Sequence, residues 1–383
     1  MRRAINIQKI SRSCWAGHLL PGQNILECNA DKQELIYIFT KSKTSSESTF
    51  TMPQISDRSN YGKAGLGIDL GGTKIAGALF DASGMISPKK VLYLEQRTGP
   101  QVGQQILALI RYFLDWASER NLEVERVGVA VPGIYYSKTG TAWAPNIPGW
   151  DNYPLQRELM TALEPEGIAL TIDSDRACYI LGESWKGAAQ GCRDAIFLAV
   201  GTGIGAGILV DGRILRGAND IAGAIGWLAV THPYLPGYET YGCFEYHASG
   251  LGIARMAREL LARERAVLKG AEQVPPEQLT ARNVFDAYRQ DDPIAVNVIR
   301  RSIEFWGKAS ANLVSLFNPE KIIFGGGIFG PAIQFLDEIY VEAKKWAQPI
   351  SIGQASFEPS LFGSEAGLYG AGCLALQKAD KKN

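Results

Sequence analysis

The sequence predicts an α/β protein made of two related lobes that face each other across a cleft, and three observations support this fold class. The 383 residues include 42 glycines, and glycine collects where the backbone turns tightly or approaches a ligand. A unit of strand, glycine turn and strand occurs twice along the chain. Helical and strand patterns alternate after each copy, which is typical of layered α/β folds. Ligands in such folds bind at strand ends.

Charge and composition exclude several classes of protein. Lysine and arginine number 39, aspartate and glutamate also 39, and this balance argues against nucleic-acid binding driven by charge. No apolar run approaches the roughly 18 residues that a membrane-spanning helix needs. Six scattered cysteines are too few for a disulfide framework and fit a reducing compartment. The sequence therefore predicts a cytoplasmic protein with no membrane or nucleic-acid partner.

The first 60 residues differ from the rest of the chain. Residues 41–60 form a polar stretch rich in serine and threonine, with neither a helical nor a strand period. Acidic residues at Glu27, Asp31 and Glu34 argue against an organellar targeting segment. We therefore predict that residues 1–60 are a disordered extension of a protein that properly starts near Met52. Whether residues 1–51 belong to the mature protein stays open.

Deleting residues 1–51 is expected to leave activity and thermal stability nearly unchanged. The physical reason is that a polar segment offers little apolar surface to bury against a core. Comparing the melting temperatures of the full-length and truncated proteins checks this expectation. A drop of several degrees in the truncated protein would show that the extension packs on the core.

The first lobe is predicted to span residues 61–174. It opens with the strand LGIDL, the glycine turn GGTK, the strand IAGALF and the turn DASG. Apolar residues at helical spacing predict an amphipathic helix over residues 102–120. The segments RVGVAVPG and GIALTID then predict two buried strands.

The second lobe is predicted to span residues 175–365 and repeats the same order of elements. The segments IFLAV, GTGIG, AGILV and DGR follow one another, and aligning Gly71 with Gly201 also aligns Asp81 with Asp211. Helical spacing predicts three amphipathic helices in this lobe, at residues 251–267, 296–317 and 332–346. A C-terminal helix at about residues 366–380 is expected to pack back on the first lobe.

The glycine turns are candidate phosphate sites, because successive backbone N–H groups in such turns point into one concavity. The two turns contain Gly71, Gly72, Thr73 and Lys74 in the first lobe, and Gly201, Thr202 and Gly203 in the second. Each turn alone is better explained as an ordinary hairpin turn, but two matched turns favour phosphate binding. A third cluster, Gly325, Gly326 and Gly327, follows the strand KIIF. It would let an adenine or ribose lie on the backbone, or it is a strand-to-helix turn.

Three polar residues next to these elements are candidates for catalysis and binding. Asp69 precedes the first glycine turn, where a carboxylate would hold Mg²⁺ through water or cap the strand end. Asp175 precedes the helical pattern RACYILGESWKG, which suits either an ionised general base or a helix N-cap. Asn146 lies between two prolines, where its amide would bond a sugar hydroxyl or close a turn.

With these motifs the chain resembles the ROK family of sugar kinases and repressors, part of the hexokinase, actin and Hsp70 group of ribonuclease H-like folds. The resemblance runs from about Gly65 to Leu376. GIDLGGTKIAGALFD and GTGIGAGILVDGRILRGA resemble its phosphate motifs, VGVAVPG and APNIPGW its sugar loops, and NPEKIIFGGG its adenosine-side strand. The resemblance implies two actin/hexokinase-like lobes with a nucleotide and sugar cleft, ATP and Mg²⁺ as cofactors, and a homodimer.

The resemblance also implies roles for individual residues. Asp175 would be the base that takes the proton of a sugar hydroxyl, and Asn146 and Glu245 would contact the sugar. Asp69 would help to place Mg²⁺, and both glycine turns would hold phosphate. Two interpretations of Glu245 are open. Its carboxylate would accept hydrogen bonds from two sugar hydroxyls, or it is a solvated residue at the start of a helix.

The chain departs from the family pattern on the sugar side. Family members usually carry a Glu, Ile, Gly, His segment, but here the stretch runs from Ala224 to Trp227 and both polar residues are missing. The Trp227 indole would stack on a sugar face or substituent, or it is turned into the core. The base motif, usually Asn, Asp, Ala, Asn, is replaced by Ser174 to Ala177, which keeps only the aspartate.

The family's zinc motif is also incomplete. The corresponding segment PGYETYGCFE keeps Cys243, but Pro236 and Tyr238 replace two cysteines. His232, Cys243 and His247 would supply three ligands of a replacement site, yet a closed structural zinc site needs four. No structural zinc is therefore expected.

Together these observations predict an ATP-dependent sugar kinase that transfers the γ-phosphoryl group of Mg·ATP to a hydroxyl, the 6-hydroxyl, of a hexose or hexose derivative. The alternative is a non-catalytic sugar-binding sensor or regulator of the same family. Residues 1–60 show no pair of helical patterns joined by a tight turn, which argues against a DNA-binding repressor. Retention of Asp175 and of both glycine turns favours the enzyme. The identity of the sugar stays open.

Overall fold

A computed structural model describes residues 9–10, 23–28, 35–40 and 62–377, in two compact units that comprise residues 1–58 and 59–383. The described residues of the first unit form three strands: β1 (Lys9–Ile10), β2 (Gln23–Cys28) and β3 (Leu35–Thr40). They form an antiparallel sheet with β3 in the centre. This sheet differs from the disordered extension that the composition predicts, and the reason is the sequence LIYIFT of β3, whose β-branched and aromatic residues favour strands. The predicted polar linker at 41–60 lies outside the described residues.

The second unit contains two lobes, each built on one mixed sheet. The strands of the first lobe are β4 (Lys63–Leu70), β5 (Lys74–Asp81), β6 (Gly84–Met85), β7 (Lys90–Tyr93), β8 (Glu123–Val131), β9 (Ile134–Tyr136), β10 (Thr141–Trp143) and β11 (Ala169–Ser174). Five of them form a sheet in the order β11-β8-β4-β5-β6, and β7 pairs with β5. Strands β9 and β10 form a separate antiparallel hairpin.

The sheet of the second lobe has the same strand order as that of the first. Its strands are β12 (Ala195–Val200), β13 (Ile204–Val210), β14 (Arg213–Ile214), β15 (Lys321–Gly325) and β16 (Ser356–Pro359), in the order β14-β13-β12-β15-β16. In the first lobe the hairpin β4–β5 contains the glycine turn, and β8 pairs in parallel with β4. In the second lobe the hairpin β12–β13 contains the glycine turn, and β15 pairs in parallel with β12. The internal repeat and the α/β fold class predicted from the sequence are therefore confirmed.

Helices cover both sheets. They are α1 (Pro100–Ser118), α2 (Leu155–Leu163), α3 (Asp175–Lys186), α4 (Tyr238–Tyr241), α5 (Cys243–Ala248), α6 (Gly250–Glu264), α7 (Ala281–Tyr288), α8 (Pro293–Phe317), α9 (Leu336–Lys344), α10 (Pro349–Ile352) and α11 (Ala366–Leu376). The four amphipathic helices predicted from apolar spacing are confirmed as α1, α6, α8 and α9. One apolar core lies under α1 and α2 in the first lobe, and a larger one surrounds α8 in the second.

Helices α3 and α11 pack closely against each other and connect the two lobes. A Cβ atom placed on Gly67 of β4 would lie 2.7 Å from the backbone nitrogen of Gly372, so α11 lies directly on the first sheet. On its other side, a Cβ atom on Gly182 of α3 would lie 3.0 Å from the nitrogen of Gly370. Glycines at these positions therefore let the helix and strand backbones approach.

The structure also bears on membrane association. Across the part of the chain that is described, none of the helices combines the length and the apolar character that crossing a bilayer requires.

Candidate active site

The first glycine turn lies between β4 and β5, and a predicted sugar-binding residue lies beside it. The backbone N–H of Gly71 donates to the carbonyl of Lys74 at 2.8 Å, which closes the turn and leaves Gly72 and Thr73 exposed. A Cβ atom on Gly72 would lie 3.4 Å from the Cβ atom of Asn146. The fold therefore brings the loop APNIPGW next to the turn GGTK.

Asp69 lies near the end of β4, and helix α11 packs against its carboxylate. A Cβ atom placed on Gly367 would lie 2.8 Å from both carboxylate oxygens. Burial raises the pKa of Asp69 to about 7, the negative charge of Asp175 adds to this rise, and Lys74 opposes it. Asp69 and Asp175, which belong to different lobes of the predicted organisation, therefore lie close enough to interact.

Asp175 is the first residue of α3 and is held by two hydrogen bonds. The N–H of Arg176 donates to Oδ1 at 2.8 Å, and the hydroxyl of Tyr179 donates to Oδ2 at 3.2 Å. Ser174 is the residue that caps the helix, since its hydroxyl accepts from the N–H of Ala177 at 3.3 Å. The N-cap alternative for Asp175 is therefore wrong, and its carboxylate is available for another role.

The environment of Asp175 sets its protonation. Burial raises its pKa to about 6, while Arg176 and the hydrogen bonds from Arg176 and Tyr179 act in the opposite direction. Sequence reasoning missed Tyr179. The signal that would have found it is its spacing, because residues four apart on a helix share a face.

Polar contacts join the lobes next to Asp175. Nη2 of Arg176 donates to the carbonyl of Gly133 at 3.2 Å, in the segment VGVAVPG of the first lobe. The N–H of Ser137, just after strand β9, donates to Oδ2 of Asp220 at 3.0 Å. The β9–β10 hairpin of the first lobe therefore contacts the second lobe beside the start of α3.

The second glycine turn is closed by its own backbone and borders Glu245. The N–H of Gly201 donates to the carbonyl of Gly203 at 2.9 Å, and the carbonyl of Gly201 accepts from the N–H of Gly250 at 2.8 Å. The N–H of Ile204 donates to Oε2 of Glu245 at 2.7 Å. Burial raises the pKa of Glu245, and the hydrogen bond from Ile204 opposes the rise. Glu245 is therefore half-buried at the turn and is not a solvated residue.

Trp227 and Ala224 lie in a short turn that also borders Glu245. Residues Ile225–Trp227 form a single 3₁₀ turn, and a Cβ atom on Gly226 would lie 2.9 Å from Oε2 of Glu245. The side chain of Trp227 is 58% exposed. The alternative in which Trp227 is turned into the core is therefore wrong.

The three glycines of the third cluster differ in how much space lies beside them. The space beside Gly325 is filled by the ring of Phe197, and a Cβ atom on Gly326 would overlap the carbonyl of Val200. Gly326 also has a φ of +88°, which favours glycine. A Cβ atom on Gly327 would meet nothing within 4 Å. Packing and backbone conformation thus explain Gly325 and Gly326, whereas the exposed backbone at Gly327 is open to a ligand.

Cys243 and His247, two of the three candidate zinc ligands, make other contacts. Nε2 of His247 and the hydroxyl of Tyr238 share a hydrogen bond of 2.6 Å, and the imidazole stacks on Phe305 at 4.6 Å. Cys243 is buried, with its Sγ 4.0 Å from the carbonyl of Thr231. Between residues 62 and 377, no three His, Cys, Asp or Glu side chains form a group that would hold a metal ion.

We expect the purified protein to be folded without zinc, because only one motif cysteine, Cys243, is retained and His247 is bonded to Tyr238. Elemental analysis of the purified protein, with melting curves before and after chelation, checks this expectation. Stoichiometric zinc whose removal unfolds the protein would contradict it.

Comparison with known proteins identifies the family. The sequence model of the ROK family matches residues 65–378. The chain is 32% identical over 319 residues to a glucokinase from Halalkalibacterium halodurans, covering 82% of this chain and 95% of that one. It is 28% identical over 328 residues to an N-acetyl-D-glucosamine kinase from Haemophilus influenzae, covering 82% and 99%.

A solved structure supports the same conclusion. The fold is similar to that of a ROK family glucokinase from Streptomyces griseus in complex with glucose and AMPPNP, with a TM-score of 0.65 and 29% identity over 81% of this chain and 98% of that one. The resemblance inferred from the motifs is confirmed, as is the actin/hexokinase-type fold. The chain belongs to the ROK family.

Proposed function

We propose that this ROK-family carbohydrate kinase transfers the γ-phosphoryl group of Mg·ATP to a hydroxyl, the 6-hydroxyl, of a hexose or hexose derivative. The observation that carries the proposal is the carboxylate of Asp175. It lies at the start of α3, is oriented by the N–H of Arg176 and the hydroxyl of Tyr179, and lies close enough to Asp69 to interact with it. A sugar sensor without turnover would not need a carboxylate held in this way.

Asp175 would act as the general base. As the sugar oxygen attacks the γ-phosphorus, Asp175 accepts the hydroxyl proton, the new oxygen–phosphorus bond forms, and the bond to ADP breaks. Its hydrogen bonds fix the carboxylate before the substrate arrives, which lowers the entropic cost of alignment. A pKa of about 6 leaves it mostly ionised at pH 7 and close to the value that suits a base.

The glycine turns would hold the nucleotide. The exposed Gly72, Thr73 and Lys74 of the first turn suit phosphate oxygens, as do the N–H groups of Thr202 and Gly203 in the second turn. Gly327 offers open backbone to the adenosine. A divalent cation beside Asp69 would offset the negative charges of Asp69 and Asp175, which act on each other. Bound Mg²⁺ supplies charge neutralisation on the phosphates, and Asp69 would contact it through water.

The sugar would lie between the loop of Asn146 and the turn bordered by Glu245. Asn146 lies beside the first glycine turn and Glu245 beside the second, so their polar groups approach the site from different lobes. The carboxylate of Glu245 accepts hydrogen bonds only, which suits sugar hydroxyls. The exposed indole of Trp227 offers a flat apolar surface on the same side.

The relatives' names support a sugar substrate, and a direct assay tests it. ADP release is measured with glucose, mannose, fructose and N-acetylglucosamine, and the phosphorylated carbon of any product is assigned by NMR. Turnover that places phosphate on the 6-hydroxyl supports the proposal. Sugar binding by calorimetry with no ADP release from any sugar favours the sensor. The homodimer implied by the family stays a prediction.

The rate is expected to fall as pH decreases from 7 to 5. Asp175 must be ionised to accept a proton, and its pKa is raised to about 6, so acid converts it to the inactive form. Below about pH 6, kcat/KM should fall at least about tenfold per pH unit, because Asp69, whose pKa is raised to about 7, also gains a proton in this range. A plateau is expected above about pH 8. Initial rates across this range, with the melting temperature measured at each pH, separate titration from unfolding. A flat profile between pH 5 and 7 would contradict the assignment of Asp175.

A further inference from the structure

Glu245 is carried by a short helix that cannot fix it unaided. Helix α5 has only 6 residues, and helices of this length are unstable without tertiary contacts. Gly242, with a φ of +78°, joins α4 to α5. A Cβ atom there would lie 2.5 Å from the carbonyl of Gly226, so this joint lies against the turn that carries Trp227. Contacts elsewhere on α4 and α5 must therefore determine where Glu245 points.

One such contact joins the first residue of α4 to the last turn of α5. The hydroxyl of Tyr238 and Nε2 of His247 share a hydrogen bond of 2.6 Å, and Tyr238 is only 4% exposed. The imidazole stacks on Phe305 of α8 at a ring distance of 4.6 Å and an angle of 12°. Burial lowers the pKa of His247 to about 4, with Arg301 and Arg255 adding to the effect, so the ring is neutral near pH 7.

A second contact holds the residue between Glu245 and His247. The guanidinium of Arg255 lies 3.9 Å from the ring centre of Tyr246 and donates to its carbonyl at 2.9 Å. The rings of Tyr238 and Tyr246 meet edge to face at 5.3 Å. Both residues that follow Glu245 are therefore anchored, and Tyr238 contacts each of them.

Glu245 lies on the side of α5 opposite these anchoring contacts, at the second glycine turn. The carboxylate of Glu245 accepts from the N–H of Ile204 at 2.7 Å and lies against Gly203 and Gly226. Rotation of α5 by a fraction of a turn would withdraw the carboxylate from all three residues. The Tyr238–His247 hydrogen bond crosses the joint between α4 and α5, where it opposes such a rotation.

We propose that Tyr238 and His247 are positioning residues whose hydrogen bond holds the carboxylate of Glu245 at the second glycine turn. The proposal rests on the proposed function in one respect, the role of Glu245 as a sugar contact. This hydrogen bond is expected to strengthen sugar binding and to leave nucleotide binding unchanged. The Gly201–Gly203 turn is closed by the hydrogen bond from the N–H of Gly201 to the carbonyl of Gly203, which does not involve Glu245.

The test compares Tyr238→Phe, His247→Phe and the double variant with the parent protein. Each substitution keeps an aromatic ring for packing and removes one partner of the hydrogen bond. The KM for the sugar is expected to rise about 3- to 10-fold in each single variant and by the same factor in the double variant. The kcat and the KM for ATP should stay within about twofold. In a Glu245→Ala background, which has no side-chain acceptor left to position, Tyr238→Phe should have no further effect on the sugar KM.

Tyr234→Phe is the matched control, because Tyr234 is 66% exposed and its ring meets Tyr238 edge to face. The control should keep the parent KM. Equal rises in Tyr234→Phe and Tyr238→Phe would overturn the proposal, and so would effects that multiply in the Tyr238/His247 double variant.

Amide hydrogen exchange at Ile204 provides a readout that does not depend on catalysis. Loss of its acceptor should speed exchange of this amide in Tyr238→Phe and His247→Phe but not in Tyr234→Phe. Parent-like exchange in both variants overturns the positioning proposal even when the parent phosphorylates sugars. Faster exchange in a protein that phosphorylates no sugar supports the positioning of Glu245 while the proposed function fails.

Discussion

Replacing Asp175 with asparagine is expected to lower kcat by roughly 100- to 10,000-fold, the usual effect of losing a general base. An amide occupies the same volume, and its oxygen can still accept from the N–H of Arg176. It cannot take up the proton of the attacking hydroxyl. Binding of sugar and nucleotide should therefore persist while the chemical step is lost.

The measurement separates binding from chemistry. Calorimetric titrations with sugar and with a nucleotide analogue should give dissociation constants close to those of the parent, and single-turnover kinetics should show the loss of rate. Asp115→Asn provides a control, because it makes the same chemical change on the exposed face of α1. If Asp175→Asn retained a rate within a few-fold of the parent with sugar bound, Asp175 would not be the base.

The second large effect expected is on sugar selectivity. A site built to bond particular hydroxyls discriminates strongly against sugars that misplace them, because its own polar groups are then left unpaired. By family resemblance the residues at Ala224 and Trp227 would be a carboxylate and an imidazole directed at the sugar near C1 and C2. Here the first is small and apolar, and the second presents an exposed indole. We therefore expect weak discrimination between glucose and mannose, or a preference for a modified or keto sugar.

Values of kcat/KM for glucose, mannose, fructose and a 2-substituted glucose test this expectation. Ratios within about tenfold among the accepted sugars would support a relaxed site. Efficient turnover of glucose alone, with the others disfavoured by about a hundredfold or more, would contradict it. Trp227→Ala distinguishes a stacking role, since loss of the indole should then lower kcat/KM for the preferred sugar while the KM for ATP is unchanged.

The sequence by itself determined the fold class and the order of its elements. The alignment of Gly71 with Gly201 predicted an internal repeat and two related lobes, because a strand and its glycine turn are local patterns that need no knowledge of distant residues. The two sheets have the same strand order, as this repeat requires. Amphipathic spacing located α1, α6, α8 and α9 for the same reason. Asp69 and Asp175 of the proposed site could also be named from their positions next to a strand and a helix, whereas Glu245 came from the family resemblance.

Only the tertiary structure decided how these residues are used. That Ser174 and not Asp175 caps α3, that Gly325 is required by the ring of Phe197, and that Trp227 is exposed all depend on contacts across the fold. The interaction of Asp69 with Asp175 requires both lobes to be in place, since the two residues lie in separate elements joined through α3 and α11. Such contacts join residues far apart in the chain, and no local periodicity encodes them.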